Sequence, residues 1–367
     1  MSFFDSRPAL RWFAPLAVVA VVGGTSLLAT TANADPTLAP KSAEQLLVDV
    51  QNAKVDGLSG TVVQKANLGL PDLSSTGSAT TSELTSLLSG THTLKVWTTG
   101  PTQSRVEVLD DLAATDVVVN GSDVWTWSSS TNEATHRTLP KDVGSADKSK
   151  LPVSPDAPST PEEAAKQVLA AVGDTTAVTT DKSAVVAKRD AYELVLTPKD
   201  DRSKIESVRI AVDAETSVPL DVQAIAKDGT TVFDVGYTDV TFGAPDAGQF
   251  VFTPPPGAKV TEGAVPQARK APSAADKKAA QEKAQAAKSA TKVVGEGWTS
   301  VVVTTLPKDA TSSPQVAGVV KALTAVSGPW GSGRLFSGPA FSAVLSDDGR
   351  LAVGAVDASL LYDALAK

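Results

Sequence analysis

Cysteine is absent from this chain. That absence excludes disulfides, thiolate metal sites, a cysteine nucleophile and the lipid-modified cysteine of bacterial lipoproteins. Histidine is scarce: His92 and His136 are the only two. A general base or a metal site built on histidine would have to set one of them against a carboxylate or a nucleophile. Neither sits in an H-E-x-x-H or a G-x-S-x-G pattern. Both flank polar strand edges, where an exposed structural role is expected. Gly331-Ser332-Gly333 lacks the lysine of a phosphate loop. Asp110-Asp111, Asp200-Asp201 and Asp347-Asp348 are adjacent carboxylates in bend- or turn-like settings, and none shows calcium-loop spacing. No catalytic residue, metal or cofactor is expected.

An excess of positive charge is also lacking. Lysine and arginine total 33 against 41 aspartates and glutamates, a formal net charge of −8. Sequence-independent nucleic-acid binding needs a basic face that displaces counterions, so nucleic acid is not an expected partner. Aromatic residues make up only 5%, but 42% of the chain is hydrophobic, enough for a real core. Valine and threonine are plentiful and favour strands.

The N-terminus carries an address. Arg7 and Arg11 precede an uncharged stretch over 13–28, and Ala32-Asn33-Ala34 follows as an A-x-A site. This is the layout of a secretory signal over 1–34. The apolar stretch is shorter than the roughly 20 residues of a membrane span. An uncleaved anchor is the alternative, and either outcome places the remainder outside the cytoplasm.

Helix signals occur twice before residue 180. Ser42 and Gln45 form a capping box for a helix over 41–53. Thr160-Pro161-Glu162-Glu163 starts a second one, with the proline at the first helical position. Between and after them run short alternating strands. Leu94 and Val96, Val106 and Val108, and Trp125 and Trp127 each share a face within one strand. Leu194 with Leu196, Val208 with Ile210, and Phe233 with Val235 and Tyr237 do the same further on. Phe250 and Phe252 close the run before Pro254-Pro255-Pro256-Gly257. Asn120-Gly121 and Asp228-Gly229 are hairpin signals. Short strands with tight turns predict an antiparallel meander with one buried face. The stretch 258–297 is rich in Ala, Lys, Glu and Gln and reads as a solvated helical linker. A small C-terminal α/β module over 298–367 follows, with a strand over 298–306 and a helix over 314–326. Its marginal core predicts docking on the larger part.

The fold class is therefore α+β: one antiparallel sheet covered by two helices, plus the small module. Pattern alone does not separate a filled core beneath those helices from a cavity roofed by them.

Several segments in order resemble a known family. Tyr192-Glu193-Leu194-Val195-Leu196-Thr197-Pro198 matches a "Y-L-x-P" strand. Asp213-Ala214-Glu215-Thr216 with Val218-Pro219 matches a "D-x-x-T-x-x-P" turn. Phe250-Val251-Phe252-Thr253-Pro254-Pro255-Pro256-Gly257 matches "F-x-F-x-P-P-x-G", and Leu58-Ser59-Gly60-Thr61-Val62-Val63 is similar to an "F-S-G-T-L-V" opening. Together these resemble the bacterial lipoprotein-carrier superfamily that includes LolA, LolB and RseB. The resemblance covers about 42–262 and implies a half-barrel over 35–257 whose apolar concave face receives acyl chains. It implies a carrier of a lipid or lipoprotein acyl chain. The two-part layout, similar to RseB, implies as the alternative a regulator that senses such ligands and grips a membrane-anchored anti-sigma factor. On alternation, the concave positions are Leu94, Val96, Val106, Val108, Trp125, Trp127, Leu194, Leu196, Val208, Ile210, Phe233, Val235, Tyr237, Phe250 and Phe252. The serine- and threonine-rich stretch 71–90 departs from the family as an insertion between the first two strands.

Overall fold

The computed structural model describes residues 38–67, 69, 90–109, 113–139, 160–170, 172–263, 291–306, 318 and 320–367. The signal segment, the insertion over 71–89, the Asp110-Asp111 pair, most of the expected linker and part of the helix expected over 314–326 lie outside the described residues.

Two sheets hold just over half of the described residues. The larger is curved and has twelve strands in the order β12-β6-β5-β4-β3-β2-β1-β11-β10-β9-β8-β7. The ranges of its first six strands are β1 Gly57–Ala66, β2 Gly90–Thr99, β3 Gln103–Leu109, β4 Ala114–Asn120, β5 Asp123–Ser128 and β6 Glu133–Thr138. The other six are β7 Thr176–Val186, β8 Arg189–Pro198, β9 Ile205–Asp213, β10 Pro219–Ala226, β11 Thr231–Phe242 and β12 Lys259–Glu262. Consecutive strands pair within β1–β6 and within β7–β11, and β11 returns to lie beside β1, with Val62 opposite Tyr237. All pairs are antiparallel except β12 on β6. The alternating faces read from the sequence are what such a meander requires.

The turns follow local chemistry. Asn120 pairs with Asp123, so Gly121 and Ser122 form the β4–β5 loop and Gly121 takes a φ of 63°. This is one residue later than Asn120-Gly121 suggests. At Asp228-Gly229 the loop is longer, and Gly229 (φ 83°) closes it by donating its N–H to the Ala226 carbonyl. That is the three-residue loop with a left-handed last residue.

Helix α1 spans Ala43–Asn52, and the Ser42 hydroxyl accepts from the Gln45 N–H at 3.2 Å. Helix α2 spans Pro161–Ala170, and the Thr160 hydroxyl accepts from the Glu163 N–H at 3.3 Å. Both caps are the ones the capping boxes predict. Helix α2 lies across β10 and β11. Its buried residues at the contact are small, Ala164 and Ala165 with Val168, which lets helix and sheet approach closely.

The second sheet has the order β13-β14-β18-β17-β16-β15. Its strands are β13 Thr291–Val294, β14 Val301–Thr305, β15 Thr324–Gly328, β16 Gly331–Ser337, β17 Ser342–Ser346 and β18 Arg350–Gly354, with helix α3 at Ala358–Leu365. Three local readings change here. Lys259–Glu262 and Thr291–Val294, placed in the helical linker, are strands that complete the edges of the two sheets. Thr324–Gly328 is a strand paired with β16, where helical spacing suggested the end of a helix. Phe250 and Phe252, read as closing the run of strands, are in no ladder: Ala247–Phe250 form a 3-10 turn and Phe252 follows it.

The two sheets meet through few but well-formed contacts. Trp298 is buried in the main core cluster, and its indole N–H donates to Thr176 at 2.9 Å. Gly297 (φ 57°) allows this approach, since a Cβ there would lie 2.1 Å from the Thr175 hydroxyl oxygen. Lys204 donates to the Gly338 carbonyl at 2.9 Å and to Ser337 at 3.1 Å, and Ser203 bridges Val356.

Candidate functional site

Directly paired residues in an antiparallel sheet share a face. The register therefore assigns each strand position without ambiguity. One face carries Val96 opposite Val106, which lies opposite Val117. Leu94 and Val108 extend this face, as do Val62 and Tyr237 across β1 and β11. Further on it carries Leu194 opposite Ile210 and Leu196 opposite Val208. Val222 faces both Ile210 and Val235, and Ala224 faces both Val208 and Phe233. Eleven of the fifteen sequence-derived positions thus share the face that the helices cover.

That face is not uniform. Over β8, β9 and the first part of β11 it is solid: Leu194, Leu196, Ile210, Phe233 and Val235 have no exposed surface. Burying each such side chain contributes about 1.5–3 kcal/mol. Leu94 is equally enclosed, at 1% exposure. Toward β1–β4 a cavity of about 790 Å³ opens between sheet and helices. Its floor includes Leu58, Val96, Val106, Val117 and Val119. Val50 and Val55 close one side, and Leu169 and Ala170 of α2 another. Only Val96, Val106 and Tyr237 of the fifteen expected positions line it.

Four expected positions lie elsewhere. Trp125 pairs with Val118 and Trp127 with Asp116, which places both on the opposite face of the sheet. There the Trp125 ring stacks on His136 at 4.3 Å and meets Phe252 at 5.2 Å. Phe250 is buried beside β3 and β4 in the 3-10 turn that covers this face. The physical reason is parity. A one-residue shift reverses every side chain of a strand, and β4 is buried on both faces, through Val117, Val118 and Val119. Alternation gave no sign that this end of the sheet is covered twice.

Polar groups reach the cavity from α1 (Gln51), β2 (Thr98), β3 (Ser104 and Arg105) and the start and body of α2. Thr160, Glu162, Glu163 and Lys166 line it together with Tyr237. The Tyr237 hydroxyl donates to Glu162 Oε1 at 2.9 Å. Burial raises the Glu162 carboxyl above its ordinary value, against the hydrogen bonds that favour its charged form. Burial and the neighbouring Glu162 push Tyr237 up as well. Sequence reasoning missed Glu162 as a cavity residue; its only signal was the capping box that fixes where α2 begins.

The histidines differ from expectation in opposite ways. His92 is buried and lies opposite Gln64, not exposed at a strand edge. His136 is half-buried between two carboxylates, with Nε2 2.9 Å from Asp123 and Nδ1 3.0 Å from Glu262. Burial alone would lower its pKa, and the two carboxylates overcome this and raise it. Asp200 is held down to about 2 by its hydrogen bonds from Arg202. Among the described residues, no three His, Asp or Glu side chains converge as a metal site. Among them, too, no helix is long and apolar enough to cross a membrane.

No family model and no curated protein matches the chain. Solved structures do. The complex of MucA and MucB from Pseudomonas aeruginosa is similar at 15% identity, over 88% of this chain and 96% of that one, with a TM-score of 0.41. A LolA superfamily protein from Nitrosomonas europaea is similar at 12% identity, over 58% of this chain and 99% of that one, with a TM-score of 0.23. A DUF1329 family protein from Desulfovibrio piger matches at 14% identity, over 57% and 95%, also with a TM-score of 0.23.

Proposed function

We propose that this protein is a non-catalytic, exported binding protein that holds a lipid or lipoprotein acyl chain in the cavity between β1–β4 and the two helices, for carriage across the cell envelope. Residues 35–257 form the binding half-barrel in this reading, and residues 298–367 form the docked module. The observation that carries it is the cavity itself. It is about 790 Å³, it is floored by valine and leucine, and it lies beside a half of the same face that is packed solid. Pockets of 300–1,000 Å³ with mostly apolar walls and a few polar groups suit small hydrophobic ligands.

The energetics explain why such a container is useful. Each CH₂ left in water costs about 0.8 kcal/mol, so a chain of about 16 carbons leaves a membrane unaided at a cost on the order of 12 kcal/mol. An aliphatic trough removes most of that penalty without demanding one ligand shape. Native mass spectrometry of protein exported and purified under gentle conditions tests the reading. Lipid-sized adducts released on activation are expected. Protein that carries none and also takes up no acyl probe refutes it. Capture of a single-span membrane protein by the loaded form would assign the protein to the regulatory alternative.

A further inference from the structure

Tyr237 stands where the open and the filled parts of the trough meet, as do Leu58 and Val96, which line the same cavity and belong to the same core cluster. The neighbours of Tyr237 along β11 toward the filled half, Val235 and Phe233, are fully buried. The ring has a fixed seat. A Cβ added to Gly60 on the adjacent strand would stand 2.8 Å from Tyr237 Cδ1 and 2.9 Å from Cε1, so the ring lies against bare glycine backbone. Its far end is fixed too, by the 2.9 Å bond from its hydroxyl to Glu162 on α2. Gly60, Tyr237 and Glu162 thus form a post running from the sheet to the helix above it.

We propose that this post is the end wall of the acyl-chain cavity, and that Tyr237 sets the length of chain the protein accepts. The inference rests on the acyl-chain reading above and adds a specificity-determining residue to it. A ring locked at both ends has no rotamer freedom with which to yield to a longer chain. A chain growing along Val96 and Val106 gains contact with each methylene until it meets the ring, and nothing beyond. Before that point each added CH₂ tightens binding about fourfold. After it the gain stops or reverses, because the filled half has no room. Glu162 acts through Tyr237, as a positioning residue.

The test is displacement of a pyrene-labelled fatty acid by unlabelled saturated fatty acids of increasing length, on the full chain. The native protein should show rising affinity up to one length and a plateau or fall beyond it. Tyr237→Ala should move that break to longer chains. The first chain too long for the native protein should then recover its roughly fourfold gain. Tyr237→Phe keeps the ring and loses only its bond to Glu162, so it should move the break less than Tyr237→Ala does. Tyr237→Leu carries the comparison if a melting curve shows that the alanine variant does not fold. A native protein that binds the series, with the same break in the ring-deleted variant, overturns the end wall and leaves the acyl-chain reading standing. A break that shifts equally in Tyr237→Phe also overturns it, since the ring would then not be the stop. A native protein that binds no member of the series refutes the reading beneath it.

Discussion

Replacing Val106 by phenylalanine separates an open cavity from a filled core. In a packed interior the larger side chain forces its neighbours off their rotamers and costs about 1–3 kcal/mol. Val106 is half-buried and faces about 790 Å³ of space together with Val96 and Val117. There the added ring displaces nothing. It removes roughly 40 Å² more apolar surface from solvent, which stabilises the fold by about 1 kcal/mol. The melting temperature should therefore hold or rise by about 2–4 °C. Ile210→Phe is the matched control, because Ile210 has no exposed surface and sits in the filled half. It should lose about 1–3 kcal/mol. Chemical denaturation of both variants measures the difference, and an acyl-probe titration should show weakened binding in Val106→Phe alone. Equal destabilisation of the two variants would refute the reasoning, because it would mean both positions face packed protein.

Three further perturbations have defined outcomes. Gly60→Ala would place a Cβ 2.6 Å from the Asp239 carbonyl oxygen, where backbone must shift, as well as against Tyr237; a loss of about 1–3 kcal/mol is expected in denaturant titrations, together with weaker acyl binding. Trp298→Ala empties the buried slot where the second sheet docks and should cost about 3–5 kcal/mol; small-angle scattering should show a larger radius of gyration while both sheets keep their circular-dichroism signal. The His136 clasp makes stability depend on pH. Its folded pKa is raised above the ordinary 6.5, so its contribution is complete below about pH 6.5 and is lost as pH rises through the folded value. Amide exchange on β12, which Glu262 holds to His136, should accelerate across that window, and His136→Gln should abolish the step.

The sheet was legible in the sequence where large apolar residues alternate regularly with other types. Alternation placed Leu194, Leu196, Val208, Ile210, Phe233 and Val235 on a single face, and the register agrees with each of them. The starts of α1 and α2 followed from Ser42 and Thr160, because capping is local chemistry. What failed was non-local. Trp125 and Trp127 looked like inner residues until the 3-10 turn at Ala247–Phe250 covered the outer face there. Thr176–Val186 went unread as a strand because threonine, lysine and aspartate interrupt its apolar positions. Thr324–Gly328 carried helical spacing, and pairing with β16 overrode it. The cavity depends on where α2 rests, and nothing in the alternation of the strands encodes that.

Co-crystallisation with a terminally brominated fatty acid is the most direct test of an unfilled trough. The account predicts an anomalous bromine peak inside the cavity, enclosed by Val96, Val106 and Leu169, with density for the chain running to it. A crystal that shows protein side chains occupying that space, and bromine nowhere between sheet and helices, would contradict it.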